Sequence, residues 1–233
     1  MRFRPLVAAV AVPVLGLSLA ACGESDLQKY LKASPTTVDQ DMRTALNAMT
    51  SVHVHTLQNV SGTPFTLDIS VDNAGRCVGS LAQGTQTLSI VGVGSGKIYA
   101  KGSADFWTND EGVTATAAAA LANKWVTGLP NGMFSNTCDI KSLVKSFTGN
   151  TVANDKAKVL GKTKVGGVDA VTLQITLSGS AVKIAVAASS PHRPLQVTAA
   201  GGKLVSVFSQ FDKPVRPTAP AGATDVSKLA GAK

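Results

Sequence analysis

The sequence predicts an α+β fold in which a single curved antiparallel β-sheet, a half-barrel, carries helices on its concave face. Three observations support this class. The apolar period changes from about 3.6 to about 2 residues at Ser51. Short strands separated by glycine-bearing turns then form two runs, residues 51–100 and 159–211, which is typical of antiparallel meanders. An alanine-rich helical segment separates the two runs. Because each strand has one apolar face that must leave water, the helices are expected to cover the sheet.

The amino terminus has the pattern of a bacterial lipoprotein signal. Two arginines precede an apolar run over residues 6–19, and two alanines lead into Cys22. The sequence therefore predicts that residues 1–21 are a signal peptide and that Cys22 becomes the lipid-modified first residue. Such a protein would be anchored on the extracytoplasmic face of the cell membrane. The alternative is an ordinary transmembrane helix, but the run is shorter than the ~20 apolar residues that a span requires.

Size and charge limit the functional classes. The 212 residues that follow the signal are enough for one domain with a sizeable core. The whole chain has a net charge of +8, and its lysines are dispersed. A solvated basic surface explains this charge, and affinity for anionic lipid headgroups or cell-wall polymers is the alternative. No nucleic-acid partner is expected, since the sequence contains no recognition motif.

Three cysteines are present, and Cys22 is assigned to acylation. The remaining pair, Cys77 and Cys138, would be exported to an oxidising compartment, so we predict that they form a disulfide. The bond would close a loop of about 60 residues. Two buried free thiols are the alternative.

The domain is predicted to span residues 36–213, between a polar tether over residues 22–35 and an extended carboxy-terminal tail over residues 214–233. Its first helix is capped by Thr36 or Thr37. Further helices are expected within residues 104–121 and 139–147. The predicted strands cover residues 52–55, 65–71, 77–82, 86–93, 97–100, 124–126, 159–165, 168–177, 182–187, 195–200 and 203–211.

Motifs for catalysis or metal binding are incomplete. His53 and His55 share one strand face, but a metal site needs a third or fourth ligand, so we predict no metal and no cofactor. Ser142-x-x-Lys145 matches the nucleophile motif of penicillin-binding enzymes, yet its partner motifs are missing. Gly161-Lys162-Thr163 lacks the first glycine of a phosphate loop. The sequence therefore predicts a protein that is not an enzyme.

Several weak motifs follow one another along the chain. They are Cys22, the helix leading into Ser51-Val52-His53-Val54, and the segments at residues 96–100, 165–171 and 208–215. In this order they resemble the actinobacterial lipoproteins of the LppX/LprA/LprF/LprG type. The segment from Ala104-Asp105-Phe106-Trp107 to Lys124-Trp125-Val126 is similar to less-characterised actinomycete relatives.

The resemblance implies a half-barrel like that of the lipoprotein carriers LolA and LolB. Better-known members of the family hold acyl chains of glycolipids or waxy lipids between sheet and helices, and the family has no catalytic residues. This sequence departs from it in the pair Cys77 and Cys138 and in a more compact carboxy-terminal half.

We therefore expect a membrane-anchored carrier that binds the acyl chains of a lipid or glycolipid in an apolar cavity. The alternative is a non-enzymatic sensor or protein-interaction module of the envelope, as in the RseB type. Small residues on the strands and the middle helix leave open whether the interior is hollow or tightly packed. The predicted cavity lining consists of apolar side chains from both meanders and from the helix at residues 139–147: Phe65, Leu67, Ile69, Val71, Leu88, Ile90, Leu143, Phe147, Leu173, Ile175 and Leu177.

Overall fold

The computed structural model describes residues 24–109, 111, 113–129, 134, 136–148, 157–177 and 179–228. The predicted signal peptide and Cys22 lie outside this range, and so does the side chain of Phe147.

Five helices and twelve strands make up the described fold. The helices are α1 (Asp26–Leu31), α2 (Pro35–Ala48), α3 (Ala104–Asn109), α4 (Ala115–Leu121) and α5 (Ile140–Thr148). The strands are β1 (Ser51–Val60), β2 (Thr63–Asp72), β3 (Arg76–Gln83), β4 (Gln86–Val93), β5 (Ile98–Gly102), β6 (Val126–Thr127), β7 (Lys158–Val165), β8 (Val168–Leu177), β9 (Ser180–Ala187), β10 (Pro194–Ala199), β11 (Leu204–Ser209) and β12 (Thr224–Asp225).

All twelve strands belong to one open, curved sheet with the order β12-β6-β5-β4-β3-β2-β1-β11-β10-β9-β8-β7. The two predicted meanders are joined through the antiparallel pair β1 and β11, in which His55 lies opposite Val207. Only β12, at one edge, runs parallel to its described neighbour, β6. The half-barrel α+β class is thereby confirmed.

The core lies on the sheet face that the helices cover. Val54 of β1 lies directly beside Ile69 of β2 in the sheet register, and both side chains are almost completely buried. Helices α1 and α2 pack on β8, whereas α3 packs on β4 and β5. The cover is therefore divided between two groups of helices, one over each meander.

The segment predicted as a tether contains helix α1. Ser25 and Gln28 form a capping box that begins this helix. Tyr30 is buried against the core and stacks on His192, with ring centroids 4.1 Å apart. The tether predicted over residues 22–35 therefore contains a helix at residues 26–31. A six-residue helix is too short to show a clear apolar period, and the partner of Tyr30 is distant in sequence, so the sequence did not indicate this helix.

Helix α2 begins one turn earlier than predicted. Ser34, rather than Thr36 or Thr37, is the N-cap, and its hydroxyl accepts a hydrogen bond of 3.0 Å from the Thr37 N–H. Pro35 occupies the first turn, where its fixed φ suits a helix and its missing N–H is not needed.

The carboxy-terminal segment also contacts the domain. Val215 is buried, and Thr224 and Asp225 pair with Val126 and Thr127 in the strand pair β12–β6. Residues 214–225 therefore lie along the sheet and extend it by one strand, instead of forming the loosely held tail that their composition suggested.

Candidate functional site

An apolar cavity of about 260 Å³ lies between the inner face of strands β2 to β4 and the aromatic rings that cover it. Five of the predicted lining residues meet there: Phe65, Leu67, Ile69, Leu88 and Ile90. The structure adds Leu81, Phe106 and Phe134, together with the polar edge residues Ser80, Gln83 and Thr137 and the glycine Gly79. The phenyl rings of Phe106 and Phe134 stack with centroids 6.2 Å apart and form the wall opposite the sheet.

Two glycines set the shape of this cavity. Gly79 lies between Ile69 and Ile90 in the sheet register, where a Cβ would come within 2.7 Å of the Ile69 side chain. At Gly102 a Cβ would lie 2.6 Å from the Phe106 ring. Because both positions lack a side chain, the Ile69 side chain lies directly over β3 at Gly79, and α3 brings the ring of Phe106 close to the sheet at Gly102.

A disulfide lies next to one of the lining residues of the cavity. Cys77 of β3 and Cys138 are bonded, as the sequence predicted, with their Cα atoms 5.3 Å apart and both side chains buried. Gly92, the register partner of Cys77, provides the space, since a Cβ there would lie 3.0 Å from each sulfur. Thr137, which lines the cavity, directly precedes Cys138, so the crosslink fixes this part of the wall to the sheet.

The remaining predicted lining residues pack elsewhere. Val71 and Leu173 are fully buried in the hydrophobic core, and Ile175 and Leu143 are buried beside them. Leu177 is partly buried against the same core. The cavity among the described residues is therefore formed by the amino-terminal meander, whereas the named side chains of the carboxy-terminal meander are buried among other core residues. Sequence periodicity places a residue on a face but does not show what stands in front of it.

The motifs that suggested chemistry have structural partners. His55 Nδ1 lies 3.0 Å from Asp68 Oδ2, and His53 Nδ1 lies 3.1 Å from Ser70 Oγ. Within the described ranges, no group of three or more histidine, cysteine, aspartate or glutamate residues is arranged to hold a metal ion. These histidines are therefore held by strand β2.

The Ser142 hydroxyl donates a hydrogen bond of 2.6 Å to Asp139 at the beginning of α5, and this bond lowers the pKa of the Asp139 carboxyl. The Asp139 carboxylate, which also accepts from the Lys141 and Ser142 N–H groups, is therefore the cap of this helix, and Ser142 lies in its first turn. Gly161-Lys162-Thr163 lies within strand β7 and forms no loop that could hold a phosphate.

None of the described helices has both the length and the apolar character that a membrane span requires.

An open half-barrel with an apolar cavity between its sheet and its helices is the fold that the sequence resemblance implies. Among solved structures, the chain is similar to LprF from Mycobacterium bovis, with 16% sequence identity and a TM-score of 0.56. The match covers 81% of this chain and 97% of that chain. The Mycobacterium tuberculosis lipoprotein LppX also matches, at 15% identity and a TM-score of 0.48, over 79% of this chain and 98% of that one.

The likeness to LprF confirms the LppX/LprF-type fold that the sequence predicted, and at this identity it concerns the fold alone. No family model matches the chain, and no curated protein matches it.

Proposed function

We propose that this protein is a membrane-anchored envelope lipoprotein that binds the acyl chain of a lipid or glycolipid in the cavity beside β2 to β4 and acts as its carrier. The observation that carries the proposal is the cavity itself, whose wall is formed mainly by leucine, isoleucine and phenylalanine side chains. The LprF-like fold supports it. A surface of this kind gains free energy by removing methylene groups from water, without needing specific polar contacts.

The size of the cavity limits the affinity. A cavity of roughly 150 Å³ holds one benzene molecule, so the 260 Å³ found here has room for about ten carbon atoms. At about 0.8 kcal/mol for each buried CH₂, ten carbons contribute about 8 kcal/mol. The cost of immobilising the ligand lowers this figure, so one acyl segment would bind reversibly, at micromolar affinity or weaker. Reversible binding is what a carrier requires.

The proposed anchor is the acylated thiol of Cys22. Helix α1 begins at Asp26 and packs on β7 and β8, so only three residues, and four Cα–Cα steps, separate the anchor from the folded domain. Such a segment spans at most about 14 Å when fully extended. The domain would therefore be held close to the lipid surface.

Native mass spectrometry of the protein purified from its host tests the carrier proposal. We expect a lipid to accompany the wild-type protein and to be absent from Leu81→Trp, whose indole would occupy the cavity. The matched control is Leu57→Trp, because Leu57 is 52% exposed on the other face of the same sheet. Wild-type protein without lipid, or equal lipid content in both variants, would refute the proposal.

The anchor is tested separately by Cys22→Ser. We expect this variant to leave the membrane fraction. A variant that remains membrane-bound would show that the protein is held there by something other than the proposed thioether.

A further inference from the structure

A second cleft lies on the outer face of the sheet, opposite the acyl cavity. It has a volume of about 180 Å³ and is bounded by His53, Ser70 and Val78 of strands β1 to β3. Residues 210–216, which we call the C-terminal strap, form its other wall, with Lys213 and Arg216 among the lining residues. The strap overlaps the segment 208–215 that the sequence singled out and that the proposed function does not use.

The two sites are separated by the sheet. Ser70 directly follows Ile69, and Val78 directly precedes Gly79; Ile69 and Gly79 line the acyl cavity. Because successive residues of a strand point to opposite faces, an acyl chain in the cavity cannot reach this cleft with its own headgroup through the sheet. A ligand of the cleft is therefore a separate molecule or group.

The strap is fixed to the sheet by specific hydrogen bonds. Asp212 Oδ1 accepts bonds from the Thr50 N–H at 2.8 Å and from the Thr50 hydroxyl at 3.0 Å. The Ser51 hydroxyl donates to the Lys213 carbonyl at 2.6 Å, and the Val215 side chain is buried. The cleft wall is thus preformed, which lowers the entropy lost on binding a ligand.

The backbone of the strap has an unusual conformation beside the cleft. Gln210, which lines it, has φ of 49°, in the left-handed region that non-glycine residues seldom adopt. Strained positions of this kind are concentrated at ligand-binding segments.

The charges that face the cleft are positive or neutral. No aspartate or glutamate is among its described lining residues, and in that part of the chain neither Lys213 nor Arg216 has a carboxylate within ion-pair distance. Asp68 contacts the two histidines of β1, and Asp212 is bonded to Thr50. The residues that line the cleft thus carry an ammonium, a guanidinium, a hydroxyl and an amide group, which are the groups that recognise an oxyanion.

We propose that this cleft binds a phosphate group, with Lys213 and Arg216 supplying the charge and Ser70 and Gln210 supplying further hydrogen bonds. Inorganic phosphate and the glycerol phosphate of a lipid headgroup share this chemistry. At roughly 30 Å³ for each water molecule in the liquid, the cleft has the volume of about six waters, which is enough for a phosphate and a small attached alcohol.

A nuclear magnetic resonance titration of the ¹⁵N-labelled mature chain carrying Cys22→Ala tests the site. Sodium phosphate is added in one series and sn-glycerol 3-phosphate in another, each against sodium chloride of equal ionic strength to remove general screening. We expect saturable shifts of the amide signals of His53, Ser70 and Lys213. Lys213→Gln and Arg216→Gln should each weaken binding by about three- to tenfold, because each removes one charge-assisted contact.

Lys183→Gln is the matched control, since it removes an exposed lysine on β9, three strands from β1, and should change the affinity by less than twofold. If glycerol phosphate displaces phosphate, the result supports the proposed site and indicates that the bound phosphate group belongs to a lipid headgroup. If phosphate binds and glycerol phosphate does not displace it, the result supports the proposed site and indicates that its ligand is free phosphate. Shifts that do not saturate, or an equal loss in the Lys183 control, would overturn the proposal.

Discussion

Removing the crosslink between Cys77 and Cys138 tests the connection between stability and the proposed site. The two cysteines are 61 positions apart. In the chain-entropy model, a closed loop of that length destabilises the unfolded state by about 4 kcal/mol. Because a domain of this size is stable by only about 5–15 kcal/mol, Cys77→Ala with Cys138→Ala should lose a large fraction of its free energy of unfolding.

Urea unfolding followed by tryptophan fluorescence measures this loss, since Trp107 is buried beside α4 and reports on the core. The double variant should unfold with a free energy about 4 kcal/mol lower than wild type and with a larger m-value, because its unfolded chain exposes more surface. Wild-type protein reduced with dithiothreitol should behave in the same way. Cys22→Ala, which leaves the disulfide intact, is the control and should unfold like wild type.

The same variant should also bind lipid more weakly. Thr137 lines the cavity next to Cys138, so its position on the wall depends on the crosslink. A stability loss below about 1 kcal/mol would refute the entropic argument. It would mean that packing of Cys138 and its neighbours already restrains the loop without the bond.

Two further substitutions test individual contacts. Gly79→Ala should destabilise the fold by about 1–3 kcal/mol in urea unfolding, because the new Cβ would lie 2.7 Å from the Ile69 side chain; an unchanged free energy would show that the strands separate easily. Hydrogen bonds from Thr50 and the charge of Arg193 lower the pKa of Asp212 in the folded protein. Its carboxylate therefore stabilises the fold above the unfolded pKa of ~3.9, and this stabilisation is lost as the pH falls through the lower folded-state pKa. Asp212→Asn should thus lose about 1 kcal/mol at neutral pH, and urea unfolding at pH ~2 should show a much smaller difference from wild type; an equal loss at both pH values would contradict the assignment.

Much of the fold was predictable because its signals are local. Alternation of apolar and polar residues located the strands, and the glycine-bearing segments located their turns. The cysteine pair followed from the composition and from the expectation that the chain is exported. Helix α1 and strand β12 were not predictable, because each depends on partners that are far away in sequence. Tyr30 is buried against His192, and Thr224 pairs with Val126.

The candidate sites show the same division. Phe65, Leu67, Ile69, Leu88 and Ile90 lie beside the cavity on one apolar face, yet the same alternating pattern in Leu173 and Ile175 places side chains that are buried in the core. The outer cleft combines strands β1 to β3 with residues 210–216, and no local pattern connects them.

The sequence by itself determined the fold class, the strand periodicity, the disulfide pair and the expectation of a lipid anchor, since each depends on the type and spacing of nearby residues. Only the tertiary structure decided where a cavity remains, because that depends on which side chains from distant segments reach the same space. Gly79 and Gly102 let the Ile69 side chain and the Phe106 ring lie close against the strands beside the cavity, whereas on the second meander Leu173 and Ile184 are completely buried. Volume left between packed elements is a property of the assembled fold, and periodicity contains no information about it.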